Sequence, residues 1–316
     1  MSPGRVLVTG GAGFIGSHVC DRYLSDGWDV TALDDLSSGR RENVSPGVEF
    51  VEMDVRSAEV RDLFADGRFD VVNHHAAQID VRTSVADPWL DASINLGGLL
   101  NLLQAAVEFG LRRFVFISSG GVVYGEPDVL PTPREAPKQP LSPYGVSKLS
   151  SEFYLQAFRQ LHGLEYAALR YSNVYGPRQD PHGEAGVVAI FSQRIRDGET
   201  LTIFGDGEQT RDYVFVRDVA EANLLVTGAD LPKDGGLDSV AFNVGTGIET
   251  SVNRLARTLI DVAENRVPIE YAPARPGELM RSSLDCSATA AIGWSPSFDL
   301  EAGLRETYEF IVRAVA

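Results

Sequence analysis

The chain has 316 residues, 44% of them hydrophobic, enough apolar material for one large domain or two unequal ones and too much for a disordered chain. A formal net charge of -16 repels polyanions, which argues against nucleic acid or an anionic membrane as partner and makes any anionic ligand depend on local cations. With only Cys20 and Cys286, no leader-like stretch in MSPGRVLVTGG and no apolar run approaching the roughly 18 residues of a membrane span, a reducing, cytoplasmic protein without disulfide framework, thiolate metal site or membrane insertion is expected.

In chain order, the first apolar run, Arg5–Thr9, has the length and branching of a buried strand and ends in Gly10-Gly11-Ala12-Gly13-Phe14-Ile15-Gly16. Glycines so placed let the backbone turn tightly, approach a pyrophosphate and pack the next helix on the sheet, while the helix N-terminus favours negative charge. A helix over Phe14–Ser25 and a strand over Asp29–Asp34 complete a βαβ unit that closes on Asp34, where a ribose-binding acid belongs. Gly10, Gly13, Phe14, Ile15 and Gly16 therefore read as a dinucleotide cradle. A carboxylate at position 34 accepts from ribose hydroxyls and repels a 2′-phosphate, which favours NAD over NADP; Arg40 and Arg41 just beyond are the cations a 2′-phosphate would recruit.

Strands follow at Val48–Glu52 and Asp70–Asn73, and Asp54 in VEMDV either receives the adenine amino group or serves as a turn residue. A long helix over Pro88–Phe109, a strand over Phe114–Ser118, a helix over Pro143–His162 and a strand over Tyr166–Arg170 continue the alternation. The whole predicts an α/β fold, a doubly wound Rossmann-type parallel sheet over residues 1–175 with parts of 206–245 returning to it. From residue 176 to 316 shorter elements surround glycine- and proline-rich loops at 176–186 and 272–277, and a smaller C-terminal substrate-binding domain is expected.

Ser142-Pro143-Tyr144-Gly145-Val146-Ser147-Lys148 places Tyr144 and Lys148 four apart near a helix start, on one face. An adjacent ammonium favours phenolate over phenol, so a side chain that ordinarily titrates near pH 10 becomes a usable base near neutrality.

VTGGAGFIG, HHAAQ at 74–78, SSGGVVYG at 118–125, SPYGVSK, RYSNVYGPRQ and GDGEQTRDYVFVRDVA together resemble the extended short-chain dehydrogenase/reductase superfamily, and within it the UDP-glucose/UDP-galactose 4-epimerases, as far as about Trp294. The resemblance implies that Tyr144 exchanges the proton at O4 of a UDP-hexose through a transient 4-keto sugar, and that Lys148 binds the nicotinamide ribose and lowers the tyrosine pKa. It also implies NAD contacts from Val55, Ala76, Ala77, Gln78, Asn95, Ser118 and Tyr171. On the UDP-sugar side it implies Asn173, Arg211 and Arg275 at the diphosphate, Val187 and the main chain from Thr202 to Phe204 at the uracil, and Glu278 at the uridine ribose. Arg194 stands where such enzymes carry an apolar residue, either to meet a C6 carboxylate or as a helix-surface cation, and Asp180 argues against the carboxylate. A homodimer through a four-helix bundle of the 88–109 and 143–162 helices is implied as well, with Leu96, Leu99, Leu103 and Val107 available either to it or to the sheet.

One departure stands out: the family's strand-five hydroxyl, in a stretch resembling SSSATVYG, falls here on Gly120 of the sugar pocket, leaving Ser119, a water or direct contact from Tyr144 to serve O4. A second is the loop Gly183–Gly186, in place of an asparagine-bearing segment. Gly120-Gly121 lacks the acid pair of nucleotide-sugar dehydratases, which disfavours dehydration. A UDP-glucuronate 4-epimerase, a nucleotide-sugar 4-ketoreductase and a non-enzymatic dinucleotide sensor remain as alternatives.

Overall fold

β1 (Arg5–Thr9) is buried beyond its first residue, as a parallel strand covered on both faces must be. It leads through the glycine turn into α1 (Phe14–Ser25) and β2 (Asp29–Asp34), followed by β3 (Glu49–Glu52), α2 (Val60–Gly67) and β4 (Val71–His74). The computed structural model describes residues 3–181, 186–275 and 279–313. The expected helix over 88–109 is interrupted: α3 (Val81–Ala86) and α4 (Pro88–Ala92) lead into a wide π-type turn at Ser93–Gly97, and only then does α5 (Gly98–Glu108) begin. β5 (Arg113–Ser119), α6 (Pro143–His162), β6 (Glu165–Tyr171) and β7 (Asn173–Tyr175) follow.

The later elements are α7 (Val187–Arg196), β8 (Leu201–Phe204), β9 (Thr210–Arg211), β10 (Tyr213–Phe215), α8 (Val216–Gly228), β11 (Ala241–Val244), β12 (Thr250–Ser251), α9 (Val252–Ala263), β13 (Ile269–Ala272), α10 (Ser287–Ala290) and α11 (Leu300–Arg313). The main sheet runs β11-β6-β5-β4-β1-β2-β3, all parallel. This is the doubly wound α/β fold expected from the alternation. Strand order reverses between β4 and β1, and the crevice beyond their carboxyl ends is where such sheets bind ligands.

Alternate residues of each strand feed two cores. Val6 and Val8 pack with Val19 and Tyr23 of α1 and Val219 and Val226 of α8. Leu7 points the other way, to Phe64, Leu99, Leu103, Phe116 and Leu155. Leu99 and Leu103 are thereby fully buried against the sheet, so they do not lie on an outer helix face, while Leu96 and Val107 stay half-buried. A third cluster, including Phe191, Ile203, Leu255 and Leu304, joins α7, α9 and α11 over the β8–β13 pair. No helix among the described residues is long and apolar enough to cross a membrane.

Candidate active site

The turn after β1 needs its glycines for stated contacts. Gly10 has φ +67°, in the left-handed region. A Cβ on Gly16 would lie 2.1 Å from the Gly10 carbonyl oxygen, and one on Gly11 would lie 2.6 Å from Ala32 Cβ. Gly13 caps α1 without any side-chain bond, so the amides of Phe14 and Ile15 open the helix toward the crevice as an anion site. A pyrophosphate suits such a turn, whose glycines let the backbone pack this closely and leave the first amides of α1 without side-chain caps.

Asp34 closes β2 with Oδ2 accepting from Ala12 N–H at 3.0 Å and Oδ1 from Leu36 N–H at 2.9 Å. Burial pushes its carboxyl up from the ordinary range, against those two amides. Arg40 pairs with Asp180 at 3.1 Å, and Arg41 lies over the Phe50 ring at 4.5 Å. Both cations that a 2′-phosphate would recruit are thus engaged elsewhere.

α6 starts where Ser142 accepts from Gly145 N–H at 3.2 Å and Pro143 occupies the first turn. One turn in, the buried Lys148 donates to the Ile117 carbonyl at 2.8 Å, with Nζ 5.1 Å from the Phe116 ring centroid and 5.8 Å from that of Tyr144. Burial lowers its pKa to about 8, and Asp91 opposes that fall. At neutral pH Lys148 is still cationic beside Tyr144, as phenolate chemistry requires.

Several residues implied as cofactor contacts have their side chains committed to the protein. The Asn95 amide closes on the Gln78 main chain, accepting at 2.9 Å and donating at 3.0 Å, and Gln78 Nε2 donates to Asp91 at 2.9 Å. Ser118 donates to Glu152 at 2.5 Å, leaving only its main chain for a ligand. The Tyr171 hydroxyl accepts from Asn223 at 2.5 Å in the interior. Asp54 is clamped by Arg56, which holds its carboxyl below the usual range, and Val55 is buried against the space at Gly98. Ala76 N–H donates to Thr9 Oγ1 at 3.2 Å, and Ala77 follows it half-buried at the mouth of β4.

Ser119 ends β5 half-buried. A Cβ on Gly120 would lie 2.6 Å from Cδ1 of the buried Leu284, so a leucine 164 positions away in sequence packs directly against this glycine. Leu284 is held by Asp212, whose buried carboxylate accepts from the main-chain amides of Leu284 at 3.2 Å and Thr246 at 2.7 Å. Sequence reasoning missed both residues, since nothing local to either points to position 120.

Asn173 lies exposed on β7. Arg211 is half-buried on β9 and donates to the Thr210 carbonyl at 2.8 Å, while Arg275 lies over the Phe204 ring at 3.9 Å. β8 bonds β13 through Leu201 and Gly205, so the main chain of Thr202 and Phe204 faces its other edge, where Gln209 already donates to the Phe204 carbonyl at 2.9 Å. Val187 begins α7 half-buried. Arg194 donates to Thr200 O at 3.0 Å and Thr202 Oγ1 at 2.9 Å: it is an anchor between α7 and β8. Glu278 and the loop residues 183–185 lie outside the described residues. Among the described residues no cluster of His, Cys, Asp or Glu suits a metal ion.

The profile of the NAD dependent epimerase/dehydratase family matches residues 6–245. The UDP-glucose 4-epimerase of Mycolicibacterium smegmatis is 47% identical over 312 residues, 97% of this chain and 98% of that protein. The structure of Thermotoga maritima UDP-glucose 4-epimerase with UDP-glucose aligns with a TM-score of 0.93 at 44% identity, covering 99% of this chain and 100% of that one. The UDP-glucose 4-epimerase of Thermus thermophilus in complex with NAD aligns with a TM-score of 0.91, also at 44% identity, covering 99% and 100%. With that profile matched over residues 6–245, a relative 47% identical over nearly the whole chain and a sheet of this topology, the chain belongs to the NAD dependent epimerase/dehydratase family.

Proposed function

We propose that the protein is an NAD-dependent UDP-hexose 4-epimerase that interconverts UDP-glucose and UDP-galactose through a transient 4-keto sugar. The observation that carries this is the buried Lys148 one helical turn from Tyr144, its Nζ 5.8 Å from that ring and bonded to the Ile117 carbonyl of β5. NAD, when bound, supplies reversible hydride acceptance at sugar C4; Gly10–Gly16 would hold its pyrophosphate and Asp34 its adenosine ribose. Tyr144 takes the O4 proton and returns it, and Lys148 stabilises the phenolate in between. Because Gly120 carries no hydroxyl and Leu284 packs against it, Tyr144 carries most of the proton transfer, with Ser119 or a water in support. Asn173, Arg211 and Arg275 bind the diphosphate, giving an acidic protein the local cations its ligand needs. Residues 1–175 with part of 206–245 carry the cofactor and 176–316 mainly the sugar nucleotide, and the enzyme works in the cytoplasm.

Purified protein given UDP-galactose and no added NAD should produce UDP-glucose until the two reach equilibrium. Stoichiometric consumption of added NADH would replace this reading by a ketoreductase. Arg194 Nη1 holds Thr200 and Thr202, which makes this arginine a link between α7 and β8, and UDP-glucuronate should be a poor substrate in the same assay.

Asp34→Ala should weaken NAD binding about tenfold or more and relax its preference over NADP, read by titrating each nucleotide into cofactor-free protein; the loss corresponds to hydrogen bonds to a charged acceptor. An unchanged preference would remove Asp34 from the ribose site.

The protein should also be a homodimer. Val85 and Trp89, the latter 80% exposed, together with Val146, Phe153 and Tyr154 of α6 form an apolar outer face on α3, α4 and α6. Light scattering at micromolar concentration should give twice the 34.3 kDa chain mass, and Trp89→Glu with Phe153→Glu should give the monomer.

A further inference from the structure

Asp91 belongs to none of the contacts assigned above to cofactor or substrate, yet it is completely buried. Its Oδ1 accepts from Gln78 Nε2 at 2.9 Å and Asn95 Nδ2 at 3.1 Å, and its Oδ2 from Ser147 Oγ at 2.5 Å. These donors come from three places: the segment after β4, the wide turn at Ser93–Gly97, and α6 immediately before Lys148. A buried carboxylate is costly unless its lone pairs and its charge are both answered. The hydrogen bonds answer the lone pairs, and the bond from Ser147 sets the carboxylate beside the residue that precedes Lys148, whose fall in pKa on burial Asp91 opposes.

We propose that Asp91 is a positioning residue, which ties the Gln78 segment and the wide turn to α6 at the residue before Lys148 and so sets that lysine beside Tyr144. The inference rests on the reading of Tyr144 and Lys148 as the acid–base pair. The other groups that bear on Lys148 do not supply that negative charge. His74 and His75, at the end of β4, are both kept neutral by burial, His75 with its pKa lowered to about 3. Glu152, one turn further along α6, spends its oxygens on Arg170 and Ser118. Tyr144, the remaining neighbour on the same helix, gains from the ammonium rather than sustaining it. The wide turn has a role in this arrangement: by displacing α4 from α5 it sets Asp91 and Asn95 on the same Gln78 segment.

The chain has three lysines, Lys138, Lys148 and Lys233, so a protein labelled with 13C at lysine Cε gives three signals, and Lys148→Arg identifies the one that matters. Titrated in the cofactor-free protein, Lys148 should show a midpoint near 8. Asp91→Asn keeps an acceptor toward Gln78 and Asn95 and a polar partner for Ser147 but removes the charge, and should lower that midpoint by about one unit. The alkaline limb of the kcat–pH profile, where Lys148 loses its proton, should move down with it, while KM for the UDP-sugar changes less than twofold. Ser147→Ala keeps the charge and breaks one tie; it should lower kcat severalfold with the Lys148 midpoint unmoved. A midpoint unchanged in Asp91→Asn overturns the proposal, as does full kcat in Ser147→Ala. If Asp91→Asn does not fold, a midpoint below about 7 in the unsubstituted protein overturns it equally. The lysine signal needs no turnover, so an absence of epimerisation together with the expected midpoint shift would remove the epimerase reading and not the Asp91–Lys148 coupling.

Discussion

Tyr144→Phe is expected to lower kcat by about 10²–10⁴-fold, the range for loss of a general acid–base group, with UDP-sugar affinity changed little. The reasoning is geometric. Lys148 is fixed on the Ile117 carbonyl and near the Tyr144 ring, so phenylalanine keeps the packing and removes only the group that carries the proton. Position 120 offers no hydroxyl to share this duty, and Leu284 packs against it, 2.6 Å from where a Cβ would be. Ser119→Ala is therefore the informative companion and should cost only about tenfold. Kinetics of both variants against UDP-galactose, with bound NAD quantified after denaturation, make the comparison. If Ser119→Ala proves as damaging as Tyr144→Phe, Ser119 is the proton relay; full activity in Tyr144→Phe would end the mechanism.

Arg170→Met should destabilise the fold by about 3–5 kcal/mol, the usual cost of leaving one partner of a buried ion pair unanswered. Arg170 and Glu152 are both completely buried and joined by bonds of 3.0 and 2.6 Å. The same guanidinium reaches the Tyr124 hydroxyl at 3.0 Å, the Arg134 carbonyl at 2.8 Å and Asp238 at 2.9 Å. It thus connects β6 and α6 to the segment following β5. Urea denaturation followed by circular dichroism gives the loss directly. Adding Glu152→Gln to Arg170→Met should recover part of it, because the second change removes the orphaned charge. A loss below about 1 kcal/mol would mean that water reaches the pair and the network is not buried in solution.

Much of the fold was legible in the residues because its determinants are local. β1, α1, β2 and α6 have the bounds read from the sequence, and each boundary lies on neighbouring chemistry: Gly10 with its positive φ, Pro143 in a first turn, and Gly163 at φ +71° ending α6. The cradle, Asp34 and the Tyr144–Lys148 phase were readable for the same reason, since a turn, a strand end and an i,i+4 pair each lie within a few residues. The reading of 88–109 as one helix failed because apolar spacing does not register a single extra residue in a turn. The choice of face for Leu99 and Leu103 was open because a helix that is apolar on most of its circumference shows no preferred side until the sheet covers one.

What only the tertiary structure decided is which partner each polar group meets. Arg194 had the same sequence signature whether it met a ligand or Thr202; Gly120 looked like a gap until Leu284 was seen to pack against it; Asp91 had no signature at all. Sequence alone determined most of the elements and the doubly wound order they take, since backbone turns, caps and helical phase depend on near neighbours. The partners of buried charges were set by folding, because desolvation makes each buried donor or acceptor take the nearest complement, and the nearest complement comes from a distant part of the chain.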